Sequence, residues 1–404
     1  MVRAAGRLAA RLARWVAATP PPVPPFREGA FRSRLHDEAP AAWLGVALGV
    51  TFTVCFVTGL VSHLIQHPGS WFAWPARPAG LYRVTQGLHV VTGLVSIPLL
   101  LIKLFVVYPH LWTWPPVRGL RHAVDRASVP ALVGGSLFLL VTGVQNTMYW
   151  YPWGFFFPTA HYWAAWITIG ALIMHIGAKA GIVRRVAAAR EPRPAPVAEG
   201  SAPAPEGLTR RGVLGLAGAA SGVVFLTTAG TTVAPLQRLA LLSPRRPSVG
   251  PQGFPVNQPA EAAGVVEAAM DPSFVLLVEG KVPRPVELSL ADLAALPQRE
   301  EELPISCVEG WSATARWGGV ALVDLLHAVG ASVGGPVFVE SLQQAGLYRS
   351  TTLNPAHASD PATLLALRVG GEPLHIDHGF PVRLIAPNNP GVLQTKWLAR
   401  VEVL

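Results

Sequence analysis

The sequence predicts a multi-domain chain: an all-α transmembrane helix bundle, four helices plus a fifth connecting span, followed by an α+β domain. Three observations predict it. Of 404 residues, 51% are hydrophobic and only 14% charged, whereas soluble proteins carry about 25% charged residues. The long uncharged runs all lie in the first 237 residues. Charge is also divided: residues 1–246 hold 23 Lys/Arg against 7 Asp/Glu, while residues 247–404 hold 9 against 16. A wholly soluble fold and a disordered chain are excluded. A nucleic-acid partner is not expected, because a basic stripe must face water and here the basic excess flanks apolar runs.

Residues 1–38 are basic and Pro-rich and read as a cytoplasmic tail, with no apolar run behind the first arginines to make a cleavable signal. Residues 39–182 read as four spans. The first, 41–66, is long enough for a bilayer core of roughly 30 Å; the second, 84–108, is interrupted only by Lys103. The 52 uncharged residues between Arg126 and Lys179 hold two more, joined by an aromatic turn over 149–158 that suits a membrane interface. A Pro/Ala-rich linker, 183–208, reads as flexible or extended. The segment 209–237 begins with Arg210-Arg211 and continues as a weakly apolar fifth span. It resembles a twin-arginine export signal, and equally an arginine pair obeying the positive-inside rule. That rule places tail, 109–127 loop and linker in the cytoplasm and residues 250–404 outside the cytoplasmic membrane. In 250–404, strand-like segments (274–278, 337–339, 383–385, 400–404) alternate with turns and one amphipathic helix, 322–329, which is the α+β pattern.

Histidines at membrane depth default to function. His89 lies five residues into the second span and His161 about four into the fourth, and both spans run inward. Two imidazoles at matching depth suit the axial positions of a b haem; hydrogen bonding between helices is the alternative. His175 lies 14 residues after His161, about 21 Å along the axis and 40° from a common face, where a second haem would sit. Its counterpart on the second span is Lys103, which either snorkels to the interface or contacts a cofactor. His63 and His67, at the outer end of the first span, are alternative outer ligands or interfacial polar groups.

Only two cysteines occur, Cys55 and Cys307, and one lies in an apolar run, so no disulfide is expected. Cys307, in LPISCVEGWSATARWGG (303–319), is either a buried inert thiol or a soft metal ligand.

The segments VEGKVPRPVELSLADL (278–293), SCVEGWS (306–312), RWGGVALVDLL (316–326), HGFPVRL (378–384) and QTKW (394–397) together resemble the molybdopterin-binding domain of the sulfite oxidase family. The pattern is similar to the catalytic subunit of periplasmic methionine sulfoxide reductase. The resemblance implies that Cys307 is the catalytic thiolate on molybdenum, the metal being otherwise held by a single pterin. It further implies cofactor contacts at Asn257, Ala260, Glu261, Ser341, His378, Arg383, Gln394, Thr395 and Lys396, with Arg383 and Lys396 on the pterin phosphate. His378 replaces the Asn of the sulfoxide reductase branch and is similar to the sulfite oxidase branch, which leaves the substrate open. Arg316 and Arg349 either line an anion-facing pocket or lie on the surface. The membrane half is similar, more loosely, to four-helix haem-b cytochromes.

The expected protein is thus a membrane-anchored molybdenum oxidoreductase. It would transfer oxo groups on a small oxyanion, sulfoxide or N-oxide and exchange electrons with the quinone pool through one or two b haems bound by His89, His161 and His175. Sulfite oxidation toward quinone, or a cytochrome with a degenerate docking domain, are the competing readings.

Overall fold

The computed structural model describes residue 11 and residues 35–114, 119–188 and 208–404. The tail before residue 35 and the linker over 189–207 lie outside the described residues. The chain packs as two compact units: Met1–Phe56, Val91–Asn146 and Trp150–Phe225 in one, and Val57–Val90, Thr147–Tyr149 and Leu226–Leu404 in the other. Five described helices are long and apolar enough to cross a membrane: α1 (Glu38–Gln66), α2 (Leu81–Val107), α3 (Leu120–Thr147), α4 (Phe157–Ala188) and α5 (Arg210–Thr228). They suggest a multi-pass membrane protein. The 209–237 segment is helical only to Thr228, after which 3-10 turns take over at Ala229–Thr231 and Ala234–Leu239.

In the first unit, Leu44, Leu48, Leu99, Leu100, Val106, Val213 and Ala217 form the core. The outward faces stay apolar: Leu101, Phe105, Val141, Ile167, Ile173 and Val223 are all exposed, a surface suited to lipid rather than water. Polar groups turn inward and pair between helices. Ser96 Oγ donates to Thr51 Oγ1 (2.8 Å), and Ser221 Oγ to Val95 O (3.3 Å). Lys103 Nζ donates to Ala41 O at 2.8 Å, so its ammonium satisfies a carbonyl in the first turn of α1.

The second unit holds two five-stranded sheets. One has the order β2 (Val286–Ser289), β1 (Val275–Gly280), β10 (Leu398–Val403), β5 (Val337–Ser341), β6 (Ser350–Leu353), with only β1 and β10 parallel. The other has the order β3 (Gln298–Ser306), β4 (Ser312–Ala321), β7 (Leu364–Val369), β8 (Glu372–Pro373), with β9 (Arg383–Ile385) also on β7. Short helices join them: α6 (Ala260–Ala263), α7 (Val266–Met270), α8 (Leu290–Ala295), α9 (Leu322–Ala328) and α10 (Pro355–Ala358). The expected helix and all four strand-like segments are present, with boundaries shifted by up to two residues at most ends.

Strand β7 explains the layering. Its residues point alternately to opposite faces: Leu365 and Leu367 enter a core with Leu276, Val339 and Val401, whereas Leu364 and Ala366 enter a second core with Ile305, Trp317 and Cys307, which Val369 joins beyond the register shift in the pairing with β4. A strand buried on both faces needs a continuous apolar run, and LLAL (364–367) supplies it.

Residues 74–86 belong to this same unit and are pinned to it. Trp74 Nε1 donates to Asn388 O (2.8 Å), Asn388 Nδ2 to Pro75 O (2.6 Å), and Tyr82 N to Asn388 Oδ1 (2.6 Å). Arg77 holds Asp360 through two bonds of 2.8 and 2.9 Å.

Candidate active site

Strands β3 and β4 form a hairpin whose last paired residues are Ser306 and Ser312, so Cys307 to Trp311 make its tip. Cys307 N donates to Trp311 O (2.9 Å) and Gly310 N to Cys307 O (3.0 Å). Gly310 has φ +93°, a conformation that disfavours side chains. The hairpin thereby holds Cys307 still and buried, 1% exposed. Burial pushes its thiol well above the ordinary value, with the Glu309 carboxylate adding to the effect.

Cys307 lines a small, partly open cavity. Its walls come from four places in the sequence: Pro255, Val256 and Asn257 before α6; Ile305, Cys307 and Trp311 of the hairpin; His378 and Arg383; and Gly391 with Lys396. Gly391 makes a close approach: a Cβ there would lie 3.2 Å from Ser306 O, so the hairpin would have to give by a few tenths of an ångström.

The charges around this cavity are unusual. Arg383 NH1 donates to His378 O (3.0 Å) and its guanidinium lies over the Trp317 ring, but its buried Nε has no hydrogen-bond partner. Lys396 Nζ donates to Gln258 O (2.6 Å) and Asp377 O (2.9 Å). Among the described residues neither cation forms an ion pair with a carboxylate. Burial draws Arg383 down to about 9, and draws Lys396 well below its usual value, with the neighbouring Arg383 adding to it. Buried charges without counter-ions cost several kcal/mol each, so two of them beside a thiol are a cradle for an anion. His378 contributes no third charge. It stacks on Phe254 at 3.8 Å and shares a 2.7 Å hydrogen bond between Nε2 and Pro251 O. Burial takes it down to about 3, so it is a neutral imidazole donating its Nε2 proton.

The other expected cofactor residues divide. Asn257 lines the cavity. Ala260 is buried at the start of α6, where its N–H donates to Asp377 Oδ1 (2.8 Å), while Glu261 beside it is exposed. Gln394 and Thr395 are buried in the loop that carries Lys396. Gln394 Nε2 donates to Asn389 O (2.8 Å), and its Oε1 has no partner; Thr395 Oγ1 donates to Thr351 Oγ1 (3.1 Å). Ser341 lies at the end of β5 and accepts from Gln343 N; it does not line the cavity. Nor do Arg316 and Arg349, which pair with Glu300 (3.6 Å) and Glu340 (3.3 Å) at the surface. Their cations are already matched by carboxylates on neighbouring strands.

Sequence reasoning missed Arg245, Glu309 and Trp311 as site elements. Arg245 NH1 pairs with Glu309 Oε2 (2.5 Å), its NH2 donates to Val256 O (2.7 Å), and Trp311 Nε1 donates to the same Glu309 oxygen (3.0 Å). One side chain thus ties the 254–257 loop to the hairpin tip. Only the fold brings position 245 there.

The histidines on and beside the long apolar helices have specific settings. His161 Nδ1 shares a 3.0 Å hydrogen bond with Thr142 Oγ1, and a Cβ on Gly143 would lie 3.9 Å from its Cε1. His89 packs against Gly59, where a Cβ would come within 2.8 Å of its Cε1. His175 Nδ1 lies 3.9 Å from Asp125, which also accepts from Lys179 Nζ at 2.6 Å. His63 and His67 lie with ring centres 4.7 Å apart.

Residues 263–404 match the family described as oxidoreductase molybdopterin binding domain. The C-terminal part of the chain is an oxidoreductase domain of this molybdopterin-dependent kind. Mitochondrial sulfite oxidase of Rattus norvegicus is 33% identical over 144 residues, covering 29% of this chain and 26% of its own length. A putative protein-methionine-sulfoxide reductase subunit YedZ1 of Azospira oryzae is 34% identical over 131 residues, 32% of this chain and 49% of its own. Nitrate reductase [NAD(P)H] of Hordeum vulgare is 31% identical over 169 residues, 35% of this chain and 19% of its own. The chain thus spans about half or less of the length of these relatives.

Proposed function

We propose that the chain is a membrane-anchored molybdenum oxidoreductase acting on a small sulfur or nitrogen oxide and exchanging electrons with the quinone pool through membrane haem. The observation that carries the catalytic half is the pair of buried cations, Arg383 and Lys396, without carboxylate partners beside the buried thiol of Cys307. That donor set fits an anionic pterin phosphate and a thiolate-bound metal. Bound there, molybdenum with a single pterin supplies two-electron oxo transfer. Cys307 would hold the metal, Arg383 and Lys396 the phosphate, and Asn257 the pterin within the cavity, while Ala260, Glu261, Ser341, Gln394 and Thr395, which lie outside the cavity lining, would make contacts where the cofactor extends beyond it. His378, as a neutral donor, would orient without adding charge.

The haem half is supported by the settings of the histidines. His89 and His161 each lie against a glycine of a neighbouring helix, and Thr142 fixes the ring of His161 in the way such partners orient axial ligands. His175 would serve a second haem, although its neighbour Asp125 offers it a hydrogen-bonding role instead. The basic loops support a catalytic domain outside the cytoplasmic membrane, with Arg210-Arg211 serving as a twin-arginine-like export element. His378 favours a second reading of the substrate, sulfite oxidised with electrons flowing toward quinone.

Metal analysis of the purified chain tests the first claim. Stoichiometric molybdenum that disappears in Cys307→Ser is expected, and a molybdenum-free, correctly localised wild type would refute it. A dithionite-reduced spectrum should show a b-type band that His89→Ala or His161→Ala abolishes; no change in either variant would overturn those ligands. Turnover with reduced viologen against sulfoxides, N-oxides and nitrate, with sulfite oxidation alongside, then selects the substrate.

A further inference from the structure

The hairpin tip that carries Cys307 rests on α2 at two points. Gln86 Nε2 donates to Val308 O at 3.1 Å. One turn further on, Val90 meets Gly310 so closely that a Cβ there would lie 2.9 Å from Val90 Cγ2. Positions 86 and 90 share one helix face, and His89 lies between them in the sequence. Gln86 is only 5% exposed, and its other end is also engaged: Oε1 accepts from Tyr82 Oη at 3.5 Å, and Tyr82 Oη lies 3.2 Å from Ser62 Oγ. A buried amide on an apolar helix costs free energy unless both ends are bonded. Helix packing alone would be served as well by Leu or Ala at this position.

We propose that the Gln86–Val308 hydrogen bond is the electron route between a haem at His89 and the metal at Cys307, with Gln86 as its positioning residue. The proposal rests on the molybdenum and haem reading above. The path runs from Cys307 through one peptide unit to the Val308 carbonyl, across the hydrogen bond, and along α2 for three residues, about 4.5 Å of helix rise. It is continuous through bonds, with no van der Waals gap. A haem held at His89 would give up one electron at a time and a metal held at Cys307 would take it up. Two transfers match the two electrons of a quinol, whose two protons leave where the quinol is oxidised. No bond of Gln86 or Val308 forms or breaks.

The test uses the full chain in detergent and needs no substrate. A laser flash with a photoreduced deazaflavin as one-electron donor reduces the haem, whose absorbance then decays as the electron passes to the oxidised metal. In Gln86→Met, which keeps the length and removes the donor, the haem band and molybdenum content should match wild type while this decay is lost. Arg83→Gln removes other contacts of α2 with this unit, at Thr232 O and Thr314 Oγ1, and should keep the decay. If Gln86→Met does not assemble, Gln86→Leu replaces it, since its side chain keeps much of the volume and cannot donate to Val308 O. An unchanged decay in a fully loaded Gln86 variant, or equal loss in Arg83→Gln, overturns the route and leaves the cofactor reading intact. A wild type lacking molybdenum or the b-type band overturns that reading itself.

Discussion

Replacing Arg383 with Met should change the stability of the cofactor-free protein little, slightly in its favour, and destabilise its complex with the cofactor. In the chain alone, Arg383 is a buried cation with one protein acceptor, His378 O, and an unpartnered Nε. Its desolvation is uncompensated, and replacing buried ionic groups by apolar ones of similar volume is neutral or stabilising by about 1–4 kcal/mol. Against this stands the orphaned His378 carbonyl, at about 1–3 kcal/mol. The net for the cofactor-free form lies between about 2 kcal/mol against the variant and about 3 kcal/mol in its favour, centred slightly on the stabilising side. With an anionic phosphate present the sign reverses. Two charge-assisted hydrogen bonds are lost at about 1.5–3 kcal/mol each, so cofactor affinity should fall roughly 10²- to 10⁴-fold, at 1.4 kcal/mol per decade. The assay pairs pterin and molybdenum content of the purified variant with thermal unfolding of both proteins prepared without cofactor. Full cofactor retention, or a cofactor-free variant that melts well below wild type, would refute the claim that Arg383 is held in deficit for an anion.

Two further outcomes follow from the same geometry. His378 is held down to about 3 by burial, against an ordinary 6.5, so between these values the unfolded chain binds a proton the native one does not. Stability should therefore rise with pH through that window, by up to about 1.4 kcal/mol per pH unit, and His378→Asn should flatten that part of an unfolding-versus-pH curve; an unchanged slope would show the imidazole to be protonated in place. Asn388→Gly suits the left-handed backbone there (φ +57°) and removes only the side-chain bonds to Pro75 O and Tyr82 N. Leaving the buried Tyr82 N–H unpaired should cost about 1–3 kcal/mol, with little added by the exposed Pro75; this is read as faster proteolysis of residues 67–82, and an equal rate would mean that those bonds contribute nothing.

Much of the organisation was legible along the chain because it follows from local rules. A continuous uncharged run of bilayer length favours a helix, which satisfies its backbone within the one segment, and α1 to α4 fall where the charge gaps put them. The Cys307 segment and the 394–396 loop were legible through their resemblance to a family, which carried Asn257, His378, Arg383 and Lys396 to the cavity that the fold assembles. The same resemblance placed Ser341 near the cofactor, although it faces its own turn. Arg316 and Arg349 show the limit of residue type alone: free arginines in a sequence become partners of Glu300 and Glu340 once strands align.

The sequence by itself separated long apolar helices from a water-facing domain, set the orientation that the basic loops favour, and singled out Cys307 as the candidate metal-binding thiol. Those are properties of runs and residue types, which need no long-range contact to exist. Only the tertiary structure decided that two cations at positions 383 and 396 would be buried without carboxylates, that Arg245 would tie two loops of the site together, and that Gln86 would reach the carbonyl beside Cys307. Each depends on distance between segments remote in sequence, and local pattern carries no record of distance. A buried charge becomes a binding site, and a buried amide a link, only where the fold has removed water and every competing partner.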